Sequence, residues 1–208
     1  MNQQTNKINY DIKLQEIIDN LNYTPKLLLH SCCAPCSSAV IERLTKYFDI
    51  TIIYYNPNIE PKEEYEKRKQ EEIRFIKEFN NVNKLDIIDC DYDNDKYHNL
   101  VSGMENEPEG GARCHKCYDL RLEYTAKKAS ELNYDYFGTT LTVSPYKNSQ
   151  VLNKIGEEIA SKYNVKYLYS DFKKKEGYKR SIEMSKEYNL YRQDYCGCIY
   201  SIRNNIEE

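Results

Sequence analysis

The chain has 208 residues, of which 40% are hydrophobic and 30% charged, with a net charge of −3. That length can bury a real core, and the charge balance excludes a surface coated with basic residues for nucleic acid, so any such contact must use a local patch. No run approaches the roughly 20 apolar residues of a membrane helix and the N-terminus has no apolar signal region, so the expected location is the cytoplasm.

Residues 11–22 carry Ile12, Leu14, Ile17, Ile18 and Leu21 at helical spacing. Leu27-Leu28-Leu29 then reads as a buried strand, broken at His30-Ser31 and followed by Cys32, Cys33 and Cys36. Pro35 suits the first turn of a helix, with Val40, Ile41 and Leu44 on one face. Residues 49–55 form a second strand, closed by Asn56-Pro57-Asn58, and Pro61 opens a long helix with Glu63 and Glu64 in its first turn. A short third strand covers 85–88, an acidic segment follows at 89–93, and the pattern loosens from 97 to 113, with a loop at 105–111 that Cys114 closes. A helix from Cys117 to Asn133, a strand and turn at 137–142, a helix at 149–163, a strand at 167–169 and a helix at 178–188 lead to a cysteine-bearing tail.

This alternation predicts an α/β fold: a Rossmann-like parallel sheet with helices on both faces and the cysteine-rich site at the carboxyl edge of the strands, where such folds bind ligands. The expected organisation is one domain, 1–208, with an insertion at about 89–117 and the cysteine tail at its end.

Eight cysteines in a chain of this class point to metal or redox chemistry rather than a disulfide framework. They form three groups, Cys32-Cys33 with Cys36, Cys114-His115-Lys116-Cys117, and Cys196-Gly197-Cys198, with Cys90 apart. A helix N-terminus beside the first group favours thiolate. Two ligands from each of the first two groups would complete a Cys₄ site for zinc or a [4Fe–4S] cluster. The adjacent pair makes a poor zinc knuckle, so spacing favours iron–sulfur; His30 and His115 are expected to be hydrogen-bonded or exposed rather than ligands. Cys196 and Cys198, one glycine apart, suit a strained, easily reduced disulfide that carries two electrons, or two more metal ligands. Lys173 to Lys175, Lys179 and Arg180, with Arg113, Lys116 and Arg121, could rim a phosphate-binding surface, although most charge runs are solvated surface.

The segments LLLHSCCAPCSSAVIERL, YYNPNIEPKEEYEKR, EGGARCHKCYDLRLEYTA, FGTTLTVSPYKNSQVLNKIG and DFKKKEGYKRSIEMSKEYNLYRQDYCGCIYS, in that order, resemble the QueH-type epoxyqueuosine reductases over about 26–200. The resemblance implies an oxidoreductase that turns epoxyqueuosine into queuosine at the wobble position of tRNA with a GUN anticodon, the last step of queuosine synthesis. It implies a [4Fe–4S] cluster on Cys32, Cys33, Cys114 and Cys117, a redox-active disulfide at Cys196–Cys198, and an external electron donor. A second iron is associated with the family; Cys36, Cys198 and Asp194 are its candidate ligands here. Tyr195, Asp194 or His115 could deliver the proton to the leaving oxygen, Tyr146 and Tyr178 could stack on the base, and Lys147, Lys173 to Lys175 and Arg180 would hold the loop's phosphates. The competing expectation is a zinc-stapled α/β module that binds RNA or protein without catalysis. ATP chemistry is disfavoured, because HSCCAPCSS stands where a pyrophosphate-binding loop needs glycines.

Overall fold

The first strand alternates between two packing layers. Leu27 and Leu29 of β1 (Lys26–His30) join one apolar cluster and Leu28 joins the other. This is the period-two alternation of a strand covered on both faces. The structure, a computed structural model, describes residues 7–202, so both ends of the 1–208 span lie outside it.

Beside β1 lie β2 (Asp49–Tyr54), β3 (Leu85–Asp89), β4 (Tyr136–Thr139) and β5 (Lys166–Tyr167), all parallel, in the order β3-β2-β1-β4-β5. The helices are α1 (Tyr10–Asp19), α2 (Ala34–Leu44), α3 (Lys62–Glu78), α4 (Asn94–Val101), α5 (Ala112–Glu131), α6 (Ser149–Ala160) and α7 (Gly177–Glu187). Leu14, Val40, Phe75 and Met184 bring α1, α2, α3 and α7 onto one face; Leu122, Leu152 and Ile159 bring α5 and α6 onto the other. The α/β architecture with a parallel sheet is therefore as the sequence predicts. The strand order reverses at β1, between β2 and β4, and the crevice at the carboxyl ends there is where doubly wound sheets place ligands.

Two elements differ from expectation. Residues 94–101 form a helix, capped by the Asp93 carboxylate accepting from the Lys96 N–H, and it runs into the stretch from 97 where the sequence pattern loosens. Helix α5 also begins before Cys114 rather than at Cys117, because the loop ahead of it is closed by side chains: Glu107 accepts from the Ala112 N–H, and Arg113 donates to the carbonyls of Met104, Glu105 and Glu107.

Candidate active site

The first cysteine group occupies the turn from β1 into α2. Cys33 is the N-cap residue, in extended conformation; its carbonyl accepts from the N–H groups of Cys36 and Ser37, and a proline follows in the first turn. The helical rise from Cys33 to Cys36 folds the third thiol back over the first two. The Sγ atoms of Cys32, Cys33 and Cys36 all lie within 4.8 Å of one another, with Cys32 and Cys33 at 3.8 Å. Neighbouring elements hold the turn: the Asn56 amide donates to the Ser31 carbonyl at 2.8 Å, and the Ser31 N–H donates to the Ile53 carbonyl. Hydrogen bonds from the Cys33 and Cys36 thiols hold Cys32 well below the usual thiol range, helped by Arg121. The same contacts, with burial, push Cys33 and Cys36 up.

His30 has both ring nitrogens occupied. It is fully buried, within hydrogen-bond distance of the Thr139 hydroxyl and the Tyr55 carbonyl. Burial, with the nearby Arg121 charge, lowers its pKa to about 4, which keeps the ring neutral. His115 is exposed on α5. Cys90 follows β3, beside Tyr124.

The second group lies on the first two turns of α5. Cys114 accepts from the Gly110 N–H at 3.2 Å. Cys117 is buried with Tyr97, Val101 and Cys198, and burial raises its pKa to about 12. The third group is a tail held by side chains. Arg68 of α3, almost wholly buried, donates to the carbonyls of Cys196 and Tyr195, and the Glu60 N–H donates to the Gly197 carbonyl. Gly197 has a φ of +134°, and a Cβ there would meet Ile59 at 2.9 Å and Arg68 at 3.2 Å, so only glycine lets the tail pass.

Only Cys32, Cys33 and Cys36 form a close thiol group among the described residues; the tail links to it and to the second group by separate contacts. The Gln193 amide donates to Cys33 Sγ at 2.8 Å, joining the tail to the first group. Cys198 packs on Cys117, joining it to the second, and Cys32, Cys33 and Cys114 share one packed cluster. Three buried cations lie among these sulfurs: Arg121 on α5, Lys147 before α6, and Arg68 of α3 beside Cys33. Lys147 donates to Cys196 Sγ at 3.1 Å. Burial opposes its charge, but the sulfur and tyrosine neighbours outweigh it and lift its pKa. A pocket of about 150 Å³ opens over the site, with Cys32, Cys36 and Cys196 among its lining and Tyr146, Tyr178, Arg192, Asp194 and Tyr195 around it.

Several basic residues expected at a phosphate rim are committed elsewhere. Lys147 faces Cys196, Arg113 braces the 104–107 loop and Arg121 sits in the thiol cluster. Lys173 bonds Asp171 and the carbonyls of Thr142 and Lys147, and Arg180 is paired with Glu42 and Glu187. Lys116 is exposed, as are the ends of Lys175 and Lys179. Sequence reasoning also missed Glu72, a fully buried carboxyl beside the Ser31 and Ser37 hydroxyls that burial raises to about 8.

The family model for epoxyqueuosine reductase QueH matches residues 27–204. The chain belongs to the epoxyqueuosine reductase QueH family. It is 48% identical over 202 residues to the epoxyqueuosine reductase QueH of Staphylococcus epidermidis, covering 94% of this chain and 85% of that one. Identity to the protein of that name from Streptococcus pyogenes is 47% over 202 residues, covering 95% and 79%. For the Thermotoga maritima protein it is 35% over 188 residues, covering 88% and 93%. This QueH-family chain is accordingly an oxidoreductase, and its cysteine cluster is able to hold a metal. Among the described residues no helix is long and apolar enough to cross a membrane.

Proposed function

We propose that the chain reduces epoxyqueuosine to queuosine at the wobble position of tRNA with a GUN anticodon, the last step of queuosine synthesis. In this reading a [4Fe–4S] cluster is held by Cys32, Cys33, Cys114 and Cys117, and Cys196 and Cys198 are a redox-active pair. The observation that carries it is a close group of three thiols, Cys32, Cys33 and Cys36, at the switch point of one sheet, with Cys32, Cys36 and Cys196 lining one pocket and Cys117 packed with Cys198 nearby.

The residues fit an anionic, sulfur-ligated group. The donors are soft thiols, and Cys₄ is the usual iron–sulfur set. Arg121 has a buried Nη2 with no hydrogen-bond partner, among thiols and without a carboxylate. A buried guanidinium in that position calls for an anion. When bound, the cluster supplies electrons one at a time. The tight placing of Cys36 beside Cys32 and Cys33 adds a third sulfur on that side, available to a second iron.

The overall change consumes two electrons and two protons for each epoxide, giving an alkene and water, with the electrons coming from an external donor. The chain's own residues bind and orient. Tyr146, more than half exposed at the pocket mouth, offers a ring for a base splayed from the anticodon loop. Tyr195 and Asp194 line the pocket and can pass a proton to the departing oxygen; the Tyr195 hydroxyl rests on the Glu60 carbonyl. His115, exposed on α5, is the weaker candidate.

The test is an anaerobic assay of reconstituted protein with a chemical reductant and tRNA from cells lacking the reductase, read by nucleoside mass spectrometry. Conversion of epoxyqueuosine is expected, and Cys196→Ala is expected to abolish it while leaving the cluster's absorption. A colourless protein with one tightly held zinc and no turnover would instead favour a binding module.

A further inference from the structure

Arg121 is 1% exposed, and among the described residues no carboxylate pairs with it. The other buried arginines are differently placed. Arg68 is paired with Glu64 and donates to two tail carbonyls, while Arg113 gives one nitrogen to three carbonyls. Arg121 gives Nε to the carbonyl of Cys117, one turn back, and leaves Nη2 buried without a partner. The ionisable groups in its reach are the Cys117, Cys196 and Cys32 thiols, with the Tyr118 ring beside them.

Helix phase explains the placement. Cys114, Cys117 and Arg121 stand at i, i+3 and i+7 on α5 and so share one face. The helix that presents two thiols also presents the cation that faces them. A guanidinium does not shed its proton to escape burial, and a buried charge left uncompensated is strongly destabilising. The fold therefore keeps Arg121 where an anion is needed, and among the described residues its ionisable neighbours are three thiols and Tyr118.

We propose that Arg121 is the electrostatic partner of the iron–sulfur group, donating its free N–H to a sulfur of that group and raising its reduction potential. The inference rests on the cluster assignment above. Each electron added to a thiolate-ligated cluster increases its negative charge. A fixed buried cation stabilises the more negative state, so it favours reduction. The step is a one-electron reduction by an external reductant, with no bond broken and no proton moved. Lys147 also acts on Cys32 and Cys114, but its hydrogen bond goes to Cys196 at the pocket.

The experiment is a dye-mediated redox titration of the anaerobically reconstituted protein, followed by visible absorption and electron paramagnetic resonance, on the wild type, Arg121→Met and Arg121→Lys. Iron and sulfide are quantified in each. The expected result is a midpoint shifted to lower potential in Arg121→Met, and a smaller shift in the same direction in Arg121→Lys, which keeps the charge but loses the fork. A purely structural role would lower iron content without moving the midpoint of the clusters that remain. An unchanged midpoint in Arg121→Met overturns the proposal. If Arg121→Met holds no iron, the Arg121→Lys midpoint decides: unchanged, it overturns the proposal. A wild type that assembles no cluster would instead refute the cluster assignment itself.

Discussion

The cysteine turn at 31–37 and the cysteine tail at 193–201 sit at one site but are held there by different means. The turn is fixed by backbone. It connects a buried strand to a helix, and the Cys33 carbonyl starts the helical hydrogen bonding. The tail has no strand or long helix, only one 3-10 turn at Ile199–Ser201. It is fixed by side chains from elsewhere: Arg68 from α3, Lys147 from the segment after β4, and Ser201 folding back onto the Gly197 N–H. The difference matches the proposed chemistry. Ligands to a metal group gain from a rigid frame, whereas a dithiol that cycles with a disulfide needs a segment able to adjust.

The largest expected effect comes from breaking the turn chemically. Cys33→Ala should remove the visible absorption of the cluster and all turnover, measured on anaerobically purified protein. Next is the tail. Gly197→Val places a side chain against Ile59 and Arg68 in a left-handed conformation. Turnover should fall by roughly 100-fold, the cost typical of an ångström-scale misplacement, with cluster absorption retained. Loss of absorption in that variant would mean that the tail and the turn are one structural unit.

A smaller effect sharpens what lies behind the turn. Glu72 is fully buried and burial raises its pKa to about 8, from an ordinary 4.5. The folded chain therefore keeps a proton that the unfolded chain releases. Its stability is fully present below about pH 4.5 and is lost as pH rises through about 8. Glu72→Gln should remove that slope, so thermal melts of the two proteins should diverge by up to a few kcal/mol between those limits. Parallel melting curves at all pH values would contradict the neutral state of this carboxyl. The smallest effect is at the surface. Arg180 is paired with Glu42 and Glu187 at a partly exposed site, so Arg180→Gln should cost about 1 kcal/mol or less and leave tRNA affinity unchanged in a filter-binding titration. A large loss of affinity would restore Arg180 to the phosphate-binding surface.

The same contrast explains what the sequence disclosed. The turn was legible because its signals are local: an apolar run, a proline three residues after Cys32, and helical spacing beyond it. The strand–helix alternation was legible for the same reason. Helix α4 was not, because it buries only Tyr97 and Val101, too few positions for a period to show among polar neighbours. The start of α5 was missed because side-chain caps from Glu107 and Arg113 set it. Arg121 and Lys147 read as surface charges, since burial leaves no mark on composition. The spacing of Arg121 from Cys114 and Cys117 was the one available sign that it faces the thiols. The tail's packing rests on contacts more than a hundred residues away in sequence, which no local pattern carries.

The most direct test is anomalous scattering at the iron edge from crystals of the anaerobically reconstituted protein. We expect a compact iron cluster bounded by Cys32, Cys33, Cys114 and Cys117, with Arg121 against it. A lone zinc on Cys32, Cys33 and Cys36, with Cys114 and Cys117 left as free thiols, would contradict the account.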